Sequence, residues 1–312
     1  MPLSGHLWTI GASLRHRVRP AHAPEAMPWA TTLIDPDQGQ VRLRGLYRRV
    51  PGADRCAIVV HGLGGTTDTF YCVAAARAVE ARGWSCLRLA LRGADRGGDD
   101  FYHAGLVEDL AAAVTSPELA HYERIYLLGY SLGGHLCLRY GQCAPDRRVA
   151  ALAAVCPPLD LARGAQGIDQ RRSVVYRRHV LSGLNEIYAA VAARRPVPTP
   201  VEEVMQATTI RAWDALTVVP RYGFDNVDHY YGTMSAGPQL HALQRPALIV
   251  HSEHDPMVPV WSYRDHLQRE LPRVQHESLK LGGHVSFPAR VRFRNGRVDP
   301  LDRQVLDWLA EY

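Results

Sequence analysis

The unbroken apolar run Cys56-Ala-Ile-Val-Val60 constrains the fold of this chain more than any other segment. A strand with one face in water alternates apolar and polar residues; a strand covered on both faces does not. A run this short, without alternation, reads as a strand of a parallel sheet with helices on either side. Its neighbours carry the matching rhythm. Val41 to Arg48 alternates like a strand, Phe70 to Ala81 is alanine-rich and helical up to a stop at Gly83, and Trp84 to Leu91 reads as a strand. A helix over Leu106 to Val114, a strand over Arg124 to Leu128, a helix over Leu132 to Gly141 and a strand over Val149 to Cys156 follow. This alternation predicts an α/β fold with a mostly parallel central sheet.

The rhythm stops at Pro157-Pro158 and resumes at Pro246-Ala-Leu-Ile-Val250. Between them, residues 159–235 show helical periodicity and no convincing strand. The expected organisation is one core, made of residues 1–158 and 236–312, with residues 159–235 inserted as a helical lid over the carboxyl edge of the sheet. A strand-like segment from Val274 to Leu281 and a helix from about Leu301 to Ala310 complete the core.

Gly129-Tyr130-Ser131-Leu132-Gly133 has the form G-x-S-x-G, between an apolar strand and a helix. That is the setting of a nucleophile elbow, which puts a serine at the apex of a tight turn where only small neighbours fit. Acyl transfer at such a serine needs two backbone N–H groups aimed at the developing oxyanion. Leu132, directly after the serine, is one candidate. Leu63, in the loop His61-Gly62-Leu63-Gly64-Gly65 after the upstream strand, is the other.

In enzymes built around this elbow the order along the chain is nucleophile, acid, base. Asp255 lies on the turn after the strand ending at Val250, and His284 lies in the loop Leu281-Gly-Gly-His284 before the terminal helix. They are the expected acid and base. Asp160 is the rival acid and His276 the weaker histidine. The dense run His251, Glu253, His254, Asp255 invites a metal reading, but ligands so close in an extended stretch point to alternate faces, and no metal site is expected.

Composition narrows the partners. The net charge is +5, yet Lys280 is the only lysine and the arginines are spread throughout, with no motif for reading nucleic acid. The six cysteines form no C-x-x-C pair, which suits a reducing compartment. No apolar run is long enough to cross a bilayer, and the basic run at Arg15 follows the N-terminal apolar stretch where a signal peptide would put it first. A cytoplasmic location is expected. Phe224, Tyr230 and Tyr231 either line an acyl pocket or pack the lid onto the core. Arg171, Arg172, Arg177 and Arg178 form a solvated helix face or attract an anionic head group.

Several segments resemble one family, the YheT-like or ABHD1–ABHD3-type branch of the α/β-hydrolases. Gly5-His6-Leu7-Trp8-Thr9 resembles its G-H-L-Q-T segment, His61-Gly62-Leu63 its H-G-L motif, and Tyr102-His103-Ala104-Gly105 its Y-H-S-G motif. The elbow, the Gly223-Phe224 to Tyr230-Tyr231 run, His254-Asp255-Pro256 and Gly283-His284-Val285 resemble others. Leu91 to Gly98 departs from the family's N-x-R-G-x-S-G loop. The resemblance implies the α/β-hydrolase fold and a serine hydrolase for carboxylic esters, medium-chain or lipid-like, working without a cofactor. Ser131, Asp255 and His284 would be its triad, with Leu63 and Leu132 as oxyanion donors. Acyl transfer to an alcohol is the runner-up, and a non-catalytic binding protein on the same scaffold the rival from another class.

Overall fold

In the computed structural model, which describes residues 3–294 and 296–312, the apolar run forms β3 (Arg55–Val60) near the middle of an eight-stranded sheet. The other strands are β1 (Met27–Asp35), β2 (Gly39–Arg48), β4 (Ser85–Leu89), β5 (Arg124–Tyr130), β6 (Val149–Val155), β7 (Ala247–Ser252) and β8 (Val274–Leu279). Their spatial order is β1-β2-β4-β3-β5-β6-β7-β8. From β4 to β8 every pairing is parallel; β2 pairs antiparallel with both β1 and β4.

The lack of alternation in β3 has the expected cause. Cys56, Ile58 and Val60 pack into the apolar core on one face, and Ala57 and Val59 into the core on the other. Burying each large apolar side chain stabilises the fold by roughly 1.5–3 kcal/mol. The second core is closed by α2 (Phe70–Ala81) and by α12 (Leu301–Leu309), which supplies Val305, Leu306 and Leu309. The first is closed in part by α3 (Val107–Val114) and α4 (Leu132–Gln142).

Two of the longer elements have no counterpart in the sequence reading. One is α1 (Leu3–Val18). The other is β1, the sheet edge, where only Trp29 and Asp35 are buried, so no apolar period marks it; Pro28 is tolerated because an edge strand can spare an N–H.

Between β6 and β7 the regular elements are helical: α5 (Leu161–Ile168), α6 (Val174–Ala192), α7 (Val201–Val204), α8 (Ile210–Leu216), α9 (Val218–Arg221) and α10 (Val227–Met234). A short helix, α11 (Arg264–Leu267), follows β7, and a two-residue pairing of β9 (Val291–Arg292) with β10 (Val298–Asp299) precedes α12. Among the described residues, no helix is long and apolar enough to cross a membrane.

Candidate active site

Ser131 joins the end of β5 to the start of α4 with φ 53° and ψ −121°. A left-handed backbone at serine is strained, and the surroundings hold it: the Ser131 N–H donates to the Val155 carbonyl at 2.8 Å. The turn closes only over glycines. A Cβ on Gly129 would sit 2.3 Å from the Gly133 carbonyl, and one on Gly133 would sit 2.4 Å from the Val60 oxygen. These two contacts are the steric reason for the G-x-S-x-G spacing.

The Ser131 hydroxyl lies 2.9 Å from His284 Nε2, and His284 Nδ1 lies 2.8 Å from Asp255 Oδ2. An ionised carboxylate only accepts, so Nδ1 carries the proton and Nε2 is left to accept from the serine. The other carboxylate oxygen accepts the Met257 and Val258 N–H groups at 2.8 and 2.9 Å. The three turns after β5, β7 and β8 thus bring the predicted residues together in one hydrogen-bonded line.

The rivals stand elsewhere. Asp160 caps α5, accepting the Arg163 N–H at 2.9 Å. His276 sits on β8, 3.4 Å from His251. The His251–Asp255 run disperses: His251 Nε2 lies 3.0 Å from the Pro157 carbonyl oxygen, and His254 Nδ1 lies 3.1 Å from Ser4 Oγ. Among the described residues, the group close enough to share a metal ion is Cys156, Asp255 and His284, with ligand atoms within 4.8 Å of one another. There the histidine and carboxylate already bond each other. Burial pushes the Cys156 thiol well above its ordinary pKa, which disfavours the thiolate a metal would need.

The loop after β3 lies against Ser131; a Cβ on Gly62 would come within 2.9 Å of Ser131 Cβ. Its donors are sorted. The Gly62 N–H donates to the Tyr71 hydroxyl at 3.1 Å and the Gly64 N–H to the Tyr102 hydroxyl at 2.7 Å. The Leu63 N–H lies between them with no internal acceptor among the described residues. Leu132 is the first residue of α4, so its N–H has no carbonyl one turn earlier to bond. His61 braces the loop: Nδ1 donates to the Gly62 oxygen at 2.8 Å, and Nε2 accepts the Leu91 N–H at 3.1 Å. Burial lowers its pKa to about 4, so the ring is neutral and suited to both roles.

Above the serine is a cavity of about 690 Å³ whose walls are mostly apolar and come largely from α1, α5, α6, α8 and α10. Tyr230 and Tyr231 line it. Phe224 does not; it packs behind Tyr230, ring centroids 4.9 Å apart, so as a pocket candidate it is corrected to the packing alternative. One acidic side chain in the wall was not anticipated. Burial raises the pKa of Asp214 to about 7, and its Oδ2 accepts the Tyr231 hydroxyl at 2.6 Å. Of the four arginines in this region, Arg177 donates to the Asp169 and Gln170 carbonyls, while Arg171, Arg172 and Arg178 are exposed.

Sequence reasoning also passed over the support of His284. Thr9 of α1 accepts the His284 backbone N–H at 2.8 Å and donates to the Gly5 carbonyl at 2.8 Å. A Cβ on Gly283 would collide with Thr9 Oγ1 at 2.3 Å, so the loop and the helix are matched in shape. The G-H-L-Q-T resemblance, which covers Thr9, was the available signal.

A profile described as the alpha/beta hydrolase fold matches residues 58–290. YheT of Escherichia coli (strain K12) is 28% identical over 82% of this chain and 76% of its own. Phospholipase ABHD3 of Homo sapiens is 22% identical over 74% of this chain and 58% of its own, and the monoacylglycerol lipase of Saccharomyces cerevisiae 22% over 65% and 47%. Among solved structures, the esterase Pf2001 of Pyrococcus furiosus superposes with a TM-score of 0.54 at 14% identity, covering 92% of this chain and 90% of its own. At that identity the likeness concerns the fold.

Proposed function

Because the chain belongs to the α/β-hydrolase family, we propose that it is a serine hydrolase of carboxylic esters working through an acyl-enzyme. The observation that carries this reading is the single imidazole bridging a strained serine and a buried carboxylate at 2.9 and 2.8 Å. Ser131 Oγ attacks the ester carbonyl while His284 Nε2 takes its proton, and Asp255 holds the imidazole in that tautomer and stabilises the imidazolium. The Leu63 and Leu132 N–H groups bind the oxyanion of the tetrahedral intermediate. His284 then protonates the departing alcohol and, in the second half, activates the water that releases the acid.

The apolar walls favour an acyl chain over a small or charged acid, since each methylene buried adds about 0.8 kcal/mol until the cavity is full. The lipase and phospholipase named among the relatives support an ester of lipid type. The helices of 161–234 act as the lid.

A fluorophosphonate should label Ser131 covalently, and Ser131→Ala should abolish both labelling and ester hydrolysis. Across a p-nitrophenyl ester series, kcat/KM should rise from acetyl to medium chains and then fall. An adduct mapped to another residue, or a preference for acetyl, would sink the reading.

A further inference from the structure

Helix α1 turns Gly5 and Thr9 toward the acid and base loops, but its other face carries apolar side chains out of the protein. Leu7, Ile10, Leu14 and Val18 are 73%, 39%, 52% and 79% exposed. Their spacing of three, four and four residues places them within an arc of roughly 80° on a helix of 3.6 residues per turn. Ile10 and Leu14 also line the rim of the cavity, as does Val175 of α6, itself 63% exposed. The apolar stripe therefore runs continuously into the mouth of the pocket.

On α1 and most of α6 the charge has one sign; the nearby exposed Asp68, between the lining residues Thr66 and Thr69, pairs with Arg88 at 2.6 Å. The chain has no carboxylate before Glu25, and none between Asp169 and Glu186. Those two stretches supply α1 and most of α6, with exposed Arg15, Arg19, Arg171, Arg172 and Arg178. The two carboxylates bounding the second stretch are engaged elsewhere: Asp169 accepts the Ile210 and Arg211 N–H groups, and Glu186 pairs with Arg96 at 2.8 Å. An apolar helical stripe flanked by arginines and free of acids matches the surface of a bilayer containing anionic lipid. The apolar face would enter the acyl boundary and the cations meet the head groups.

We infer that α1 and the arginines of α6 dock the protein on an anionic lipid surface, with the pocket mouth facing the lipid. The inference does not depend on Ser131 acting as a nucleophile, because docking is a property of the surface alone. It is tested by sedimentation with vesicles of phosphatidylglycerol and phosphatidylcholine, against phosphatidylcholine alone, using the full chain and its Ser131→Ala variant.

Both proteins should bind the anionic vesicles at least about tenfold better than the neutral ones, and added salt should weaken the binding. Leu7→Asp with Val18→Asp, and separately Arg171→Gln, Arg172→Gln and Arg178→Gln together, should each reduce binding about tenfold or more. Neither set touches the pocket lining, so turnover of a soluble short-chain ester should be unchanged, which also reports a native fold. Equal binding to both vesicle types, or full binding by both variants, would overturn the inference. So would a stable dimer that Leu7→Asp with Val18→Asp dissolves while vesicles are ignored, since a second copy would then cover the stripe.

Discussion

Ser131, Asp255 and His284 stand on three turns that each follow a strand of the sheet, whereas residues 161–234 hold no strand and join the core partly through buried charge. Arg221, at the end of α9, bonds Asp100 at 2.7 Å and Asp35 at 3.1 Å. Arg92 bonds the same two carboxylates and also Asp109 at 2.6 Å. The floor of the pocket is held by short-range sterics and backbone hydrogen bonds. The roof is held by five charges drawn from β1, the loops after β4, α3 and α9. Burial opposes ionisation of Asp35, but Arg92, the Gln38 and Asp37 N–H groups and Arg221 outweigh it and hold its carboxyl well below the usual range. A floor of this kind tolerates almost no change at a few positions; a roof of this kind fails when one charge loses its partners.

The contrast can be broken at four points. On the floor, Asp255→Asn should lower kcat roughly 10⁴-fold through the wrong imidazole tautomer while leaving the melting temperature close to wild type. Asp160→Asn should leave kcat nearly intact, since it only caps α5. Similar kinetic losses in the two variants would mean that the acid has been misassigned. In the roof the pattern should invert. Arg221→Met leaves Arg92, among the described residues, as the one guanidinium facing the buried Asp35, Asp100 and Asp109 carboxylates and should cost about 3–5 kcal/mol of stability, read by urea denaturation. Full stability in that variant would show that packing, not charge, holds the roof.

A smaller effect tests the support beneath the base. Thr9→Val keeps the shape and removes the acceptor for the His284 N–H, so kcat should fall several-fold with KM little changed, and Thr9→Ser should restore it. Thr9 also lines the cavity, so a loss in KM alone would show that it acts through the wall and not through the His284 N–H. The smallest effect belongs to Asp214. Its pKa is raised on folding, so its protonated form is favoured in the native state; its contribution is complete below about pH 4 and declines as pH rises toward about 7. Asp214→Asn should flatten the fall of the melting temperature between those limits. Asp302, raised to about 6 by burial, leaves a residual slope.

The acid residue shows how far reading by position reaches. Asp160 and Asp255 both follow apolar strands and both lie between Ser131 and His284, and the sequence preferred the second for its place on a turn braced by Pro256 and Pro259 and for its resemblance to the acid motif. Distance favours the second, because the N-cap of α5 uses the Asp160 carboxyl and the His284 ring meets Asp255. The three aromatic residues of α10 and its approach divide for a similar reason. A helical repeat says that side chains share a face, not whether that face meets a cavity, so Tyr230 and Tyr231 line the pocket and Phe224 lies behind.

What the sequence determined by itself is what short-range rules encode. A strand buried on both faces must be apolar at every position, a nucleophile elbow must carry glycine at its closest approaches, and a helix must repeat every three to four residues. Those rules, with the alternation of Val41 to Arg48, made β2 to β8, the elbow turn and the chain order of Ser131, Asp255 and His284 legible. Tertiary structure alone decided the rest. β1 is an edge strand with most of one face in water, so no period betrays it. The apolar residues of α1 face outward, so they read as noise around a helix that packs inward through Ser4, Gly5, His6 and Thr9. Arg92, Arg221, Asp35, Asp100 and Asp109 come from distant parts of the chain, and a charge carries no mark of its partner until folding excludes the water between them.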